Sequence, residues 1–196
     1  MATRNQLNPP PLRKITDFKS KLVGGGARSN LFEVVLSFPD IAPASSEVLE
    51  KSRFLVKAAN MPASNISDIT VPFRGRVLHV AGDRTFDSWT ITVINDTDFA
   101  IRSAFEKWMN AINRVSDATG STDPASYQAD AFVYQLDRSG ETLRAYHFYD
   151  IFPTNVAPIN LSYDTEGIQE FTVEMQVHWW EALKGRGPAA GGEDIN

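Results

Sequence analysis

The side chains that could do chemistry are sparse and scattered. Three histidines, His79, His147 and His178, fall on three separate strand candidates, and none shows the close pair spacing by which imidazoles converge on zinc. Each is therefore read as a strand residue at a core edge or an interface. Serine and aspartate are abundant, but no Gly-x-Ser-x-Gly elbow presents a nucleophile. The chain has no cysteine, which excludes disulfides, thiolate nucleophiles, Cys-ligated zinc and iron-sulfur clusters. Gly24-Gly25-Gly26 invites a phosphate-loop reading, yet Ala27-Arg28-Ser29 and a strand follow it, not the Lys-Ser/Thr and helix that such a loop needs. Asp96 and Asp98 could act as an acid and base pair; standing directly before a helix, they are better read as its cap and dipole partners. The expectation is no catalytic residue, no cofactor, no metal and no enzyme.

Cations and aromatics carry a different signal. Pro72-Phe73-Arg74-Gly75-Arg76 is basic with an aromatic, but two arginines are too few for nucleic acid recognition. Pairing with carboxylates of a neighbouring copy is the better reading, against a solvated surface. Trp179-Trp180 is either core plus rim or an aromatic anchor at an interface. Residues 1–30 hold six cations (Arg4, Arg13, Lys14, Lys19, Lys21, Arg28) against Asp17, a net of +5. The other 166 residues hold 13 cations against 23 acids, a net of -10 within the chain's total of -5. An acidic body repels phosphates, which disfavours sequence-specific nucleic acid binding. A basic arm on such a body touches a polyanion, lies on another copy, or is simply a solvated terminus. No signal peptide pattern is visible, and the apolar runs fall far short of the ~20 residues of a membrane span.

The elements that must position these residues follow from periodicity. Residues 1–29 read as an arm, with Asn8-Pro9-Pro10-Pro11 in polyproline II and the triple glycine as a flexible or turn-forming hinge. Leu31 to Phe38 alternate as a half-buried strand with Phe32, Val34, Leu36 and Phe38 inward. A helical turn around Ser46 to Lys51 leads into an apolar segment from Phe54 to Ala59. From Ile66 to Ile94 the pattern reads as a long hairpin turning at Ala81-Gly82-Asp83-Arg84, with Ile69, Val71, Phe73, Val77 and His79 in one phase. Pro72 and Gly75 are expected to bend or bulge its outgoing strand. Its return strand sets Trp89, Ile91 and Val93 against the hydroxyl face of Ser88, Thr90 and Thr92, which must look at water, a lumen or another chain. A helix from about Phe99 to Arg114 buries Ile101, Ala104, Phe105, Trp108, Met109 and Ile112. Strands are expected at Tyr127 to Leu136, Thr142 to Tyr149 and Gln169 to Trp179, the first two joined at Asp137-Arg138-Ser139-Gly140.

Many strands, one helix and no strand-helix-strand alternation predict a mainly β fold, an antiparallel β-sandwich or barrel with a long hairpin and one flanking α-helix. The expected organisation is a basic, Pro/Gly-containing arm over residues 1–29, a single β domain over 30–183, and a flexible tail over 184–196.

Particular stretches carry a resemblance. Val71-Pro72-Phe73-Arg74-Gly75-Arg76, Ala81-Gly82-Asp83-Arg84-Thr85-Phe86 and Trp89 through Ile94-Asn95-Asp96-Thr97-Asp98-Phe99 resemble the tail tube protein family of contractile-tailed bacteriophages. So do Gly26-Ala27-Arg28-Ser29-Asn30-Leu31-Phe32 and Tyr149-Asp150-Ile151-Phe152-Pro153. The likeness runs in order through most of residues 18–180. It implies a structural virion protein of the tail, assembled in the bacterial host cytoplasm. In that family hexameric rings join their sheets into a continuous barrel and stack into the inner tube. It also implies as partners the sheath, tape measure, baseplate and tail terminator proteins, and phage DNA passing without sequence-specific binding. With that resemblance, Arg13, Lys14, Lys19, Lys21, Arg28, Arg74, Arg76 and Arg84 become candidates for subunit and ring interfaces, and Ser88, Thr90 and Thr92 for the lumen wall. The tube of a type VI secretion or other contractile injection system is the alternative; a small β-barrel enzyme or ligand-binding module is the reading from another class.

Overall fold

In the computed structural model, residues 13–164 and 166–183 are described. Asn8 to Pro11, Arg4 and the tail from residue 184 lie outside them.

The strands that alternate in sequence alternate in burial. In β1 (Phe32–Leu36), Val34 and Leu36 are buried. In β5 (Trp89–Ile94), Trp89, Ile91 and Val93 are fully buried while Thr90 and Thr92 are half-buried. In β8 (Glu170–Gln176), Phe171, Val173 and Met175 point into the same core. With β2 (Val56–Ala59), β6 (Ala129–Leu136), β7 (Thr142–Val156) and β9 (Trp179–Leu183), they form one antiparallel sheet of seven strands. The order is β1-β6-β7-β8-β5-β2, with β9 also pairing β7. The long β7 makes this possible: its first part pairs with β6 and β9, its last part with β8. It turns near Asp150, at φ 54°, where Asp130 accepts the Asp150 N–H at 3.2 Å and bonds His147 at 3.0 Å. The sheet thereby bends around the core without closing: β1 and β2 approach each other but share no ladder.

The helix α3 (Ala100–Ile112) covers the core with Ile101, Ala104, Phe105 and Trp108; Met109 and Ile112, expected on the same stripe, are half-buried at its edge. Phe38 packs against the stacked rings of Phe105 and Trp108, at 5.4 and 5.3 Å. The Trp108 indole donates to the Tyr127 carbonyl at 2.7 Å, so its polar edge is satisfied. Trp89 stacks on Phe148 at 4.5 Å at the other end of the core.

Several local expectations are corrected. The helical turn at Ser46 is a full helix, α2 (Ser46–Leu55), capped by the Ser45 hydroxyl and lying against β1 and α3. It takes up Phe54 and Leu55 of the apolar segment, whose remainder is β2 (Val56–Ala59). The arm contains a helix, α1 (Ile15–Lys21), with no buried residue, and α4 (Pro124–Tyr127) is a single turn before β6. The last expected strand breaks at a corner around His178 into β8 and β9.

The hairpin differs most. It is a two-stranded ribbon of β3 (Ser64–Phe73) and β4 (Arg76–Phe86), and its turn is Arg74-Gly75. Both turn residues have positive φ, 47° and 79°, as the mirror-image two-residue turn that matches strand twist requires. Ala81-Gly82-Asp83-Arg84 lies inside β4, and β5 is no part of the hairpin: it pairs with β8 and β2. No helix among the described residues is long and apolar enough to cross a membrane.

Candidate functional site

The ribbon is the first surface that calls for a partner. Its register places Ile69 opposite Val80 and Val71 opposite Leu78, so these four share one face with Phe73. Thr70 opposite His79 and Pro72 opposite Val77 lie on the other. The turn at Arg74-Gly75 therefore separates Val77 and His79 from Ile69, Val71 and Phe73, where the sequence reading had them in phase. Every residue of β3 is exposed, and the large apolar side chains of the ribbon from Ile66 to Val80 are 45–67% exposed, while Phe86 at its root is half-buried. A two-stranded ribbon with a bare apolar face is marginal in water and marks a protein contact. At its tip the Arg74 guanidinium lies 5.2 Å over the Phe73 ring. On its mixed face His79 Nδ1 meets Asp68 at 2.6 Å.

The second surface is the outward face of β5 and β8. Thr90 stands opposite Glu174 and Thr92 opposite Thr172, and the Ser88 hydroxyl donates to Glu174 at 2.7 Å. Ser88, Thr90 and Thr92 thus come together, joined by Thr172 and Glu174, which the sequence reading did not name. The alternation of Phe171, Val173 and Met175 already carried that signal, since the residues between them must face away. The face ends at an ion pair of Lys57 with Glu170 at 2.6 Å.

The predicted interface cations are not one cluster. Lys14, Lys19 and Lys21 sit on or beside α1 with Arg13 before it. Arg28 follows the three glycines, all at positive φ. Arg74 and Arg76 are at the ribbon tip and Arg84 is near its base. The histidines are also apart: His79 on β4, His147 on β7, and His178 exposed between β8 and β9. Among the described residues, no group of acids and histidines could hold a metal ion. Trp180 packs towards the core, with Phe148 at 6.4 Å and Phe86 at 6.2 Å, while Trp179 stacks outside on Tyr149 at 3.7 Å.

The N-cap of α3 is Phe99, not Asp98, and the Asp96 carboxylate accepts the Thr97 N–H ahead of the helix. Asp98 accepts the Ala100 N–H at 3.0 Å. Both also bind Lys51 of α2, at 3.0 and 2.5 Å, a tie the sequence reading missed because its partners lie 45 and 47 residues apart. Lys51, with a third contact to Glu47 at 3.2 Å, is raised above the ordinary lysine range chiefly by Asp98. Asp98 is lowered, first by Lys51 and then by the Ala100 N–H.

Comparison with known proteins identifies the family. A family model described as phage tail tube protein matches residues 27–182. The tail tube protein gp19 of Enterobacteria phage T4 is 35% identical over 161 residues, 81% of this chain and 93% of that one. The tail tube protein of Serratia phage KSP90 is 26% identical over 175 residues, 88% and 97% of the two chains. In fold, the chain is similar to the tube terminating cap of the anti-feeding prophage, with a TM-score of 0.61 at 15% identity over 80% of this chain and 90% of that one. It is similar also to a chain of the sheath-tube complex of an extracellular contractile injection system, with a TM-score of 0.57 at 11% identity over 84% and 95%. The chain belongs to the phage tail tube protein family.

Proposed function

We propose that this member of the tail tube family builds the inner tube of a contractile phage tail, by closing hexameric rings that stack into a conduit for the genome. The observation that carries this reading is the β3–β4 ribbon, whose apolar face of Ile69, Val71, Phe73, Leu78 and Val80 has no cover among the described residues. Joining the open sheets of neighbouring copies would remove strand edges that otherwise invite uncontrolled pairing. Ser88, Thr90, Thr92, Thr172 and Glu174 would line the lumen, a polar and acidic wall along which DNA slides without being gripped. Arg74, Arg76 and Arg84 would meet carboxylates of the next copy. Residues 1–29, with Arg13, Lys14, Lys19, Lys21 and Arg28, would cross to an adjacent ring, 30–183 would form the wall, and 184–196 would trail from it. Sheath and baseplate would bind the tube from outside and below, a terminator would cap it, and a tape measure protein would fill it before ejection. The role is structural, not enzymatic, in the virion after assembly in the host cytoplasm.

The likeness in fold to an injection-system tube supports a second reading, a tube that delivers protein rather than DNA. Capsid and terminase genes beside this one would decide for the phage. The test of assembly itself is negative-stain microscopy of the purified full chain with sedimentation analysis. Hollow rings or tubes of constant width are expected; a persistent monomer at high concentration, even with a baseplate primer, would overturn the proposal.

A further inference from the structure

Among the described residues, three buried side-chain donors have no hydrogen-bond partner: Trp89 Nε1, Arg144 Nε and Trp180 Nε1. Two of the three, on Arg144 and Trp180, belong to residues lining one notch of about 290 Å³. It lies where the ribbon root, with Ser64 and Arg84, meets the sheet, with Arg144 and Tyr146 on β7 and Trp180 and Glu181 on β9. Buried donors are nearly always paired in native proteins, so two orphans at one place point to an acceptor from outside the chain. Two guanidinium groups against one carboxylate give the notch a net charge of +1, and Glu181 already accepts the Tyr149 hydroxyl at 2.5 Å. Arg144 is oriented over the Tyr146 ring, at 5.4 Å from its centroid. The residues that line the notch thus carry two guanidinium groups, an indole N–H and the Ser64 and Tyr146 hydroxyls, donor types suited to an oxyanion.

We propose that this notch is an oxyanion site filled, on assembly, by a side-chain carboxylate of a second copy of this chain. The inference rests on the tube reading for its partner. The ribbon that frames the notch is the element left uncovered in one copy. Residues 31–196 offer 23 carboxylates against 13 cations, so carboxylate is the abundant anion on the surface a neighbour presents. Inorganic phosphate shares the chemistry and serves as the competing probe.

The experiment compares the full wild-type chain with Arg144→Gln and Arg84→Gln at low ionic strength, reading the threshold concentration for tubes by sedimentation and microscopy. Loss of a charged hydrogen bond is expected to raise that threshold about tenfold in each variant. The melting temperature of the subunit should change by no more than a few degrees for Arg144→Gln, since the orphan Nε–H and the cation–π contact with Tyr146 are lost together. Sodium phosphate, against sodium chloride at equal ionic strength, should raise the wild-type melting temperature and threshold and leave Arg144→Gln unmoved. Unchanged thresholds in both variants would overturn the proposal. If phosphate stabilises the wild type while both variants assemble normally, the notch takes a solution ion and the second copy is wrong. If the wild type forms no tubes, the tube reading fails, while the phosphate arm still decides whether the notch takes an oxyanion; no response there would end that claim too.

Discussion

Lys51 ties two elements through three carboxylates, Glu47, Asp96 and Asp98, and so fixes where α3 begins relative to α2. The shifts define when the tie holds. Asp98 titrates below its ordinary value of 3.8, so its contribution is present above that value and is lost as pH falls through the lowered one. Lys51 titrates above its ordinary 10.5, so its contribution is complete below that value and is lost as pH rises through the raised one. Between those two ordinary values the contact stabilises the fold at full strength. Lys51→Met should raise the Asp98 titration midpoint, read by carboxyl-resolved NMR, and lower the melting temperature across that window. An unmoved Asp98 midpoint would show that the Ala100 N–H alone holds it down. That an aspartate serves the start of α3 was legible in sequence, because such contacts are local, although the N-cap position itself falls on Phe99 and Asp98 reaches the Ala100 N–H from one residue earlier; the lysine was not legible, because its approach depends on how α2 lies against the β5–α3 junction.

At the scale of elements, the ribbon shows how a local signal can mislead. Gly82-Asp83 looks like a turn, and the sequence reading placed the hairpin's turn there. In the structure Gly82 lies in β4 beside the bulge that shifts the register between Ile66 and Asp68, and a Cβ on it would come within 2.3 Å of the Ser67 hydroxyl. The glycine is required by close approach of two strands rather than by chain reversal. Arg74-Gly75 performs the reversal, with the positive φ that glycine adopts most readily. Because the apolar face of the ribbon is bare in one copy, replacing both Val71 and Leu78 by Thr should change subunit stability by no more than about 0.5 kcal/mol per site, as for surface positions. The same pair should raise the threshold for assembly more than tenfold, since each side chain contributes about 1.5 kcal/mol or more when buried. Denaturation curves and sedimentation of the same preparations check both; unchanged assembly would show that the face stays in water.

At the scale of the molecule, a hydroxyl and carboxylate face covers β5 and β8, with Thr90 opposite Glu174 and Thr92 opposite Thr172. Thr90→Lys tests the face. Thr90 is half-buried and points away from Trp89 and Ile91, so a lysine there should leave rings and tubes intact and the subunit stable. In a phage carrying it, DNA ejection should slow, because phosphates would meet a ring of new cations. Failure to form rings would place Thr90 in a packed contact, and normal ejection would take it off the lumen.

The mainly β class, the inward faces of β1, β5 and β8 and the apolar stripe of α3 were determined by the amino-acid order alone, because burial repeating every second residue or every third and fourth is a local property of the chain. Strand partnership was decided only in three dimensions. The pairing of β5 with β8 and β2, the sharing of β7 among β6, β8 and β9, and the ribbon standing off the body all join residues far apart in sequence. The same holds for the orphan donors of Arg144 and Trp180. Arg144 is an ordinary strand residue by type and Trp180 stood out only as half of an aromatic pair; the tertiary packing that buries each N–H without an acceptor is what marks them as donors.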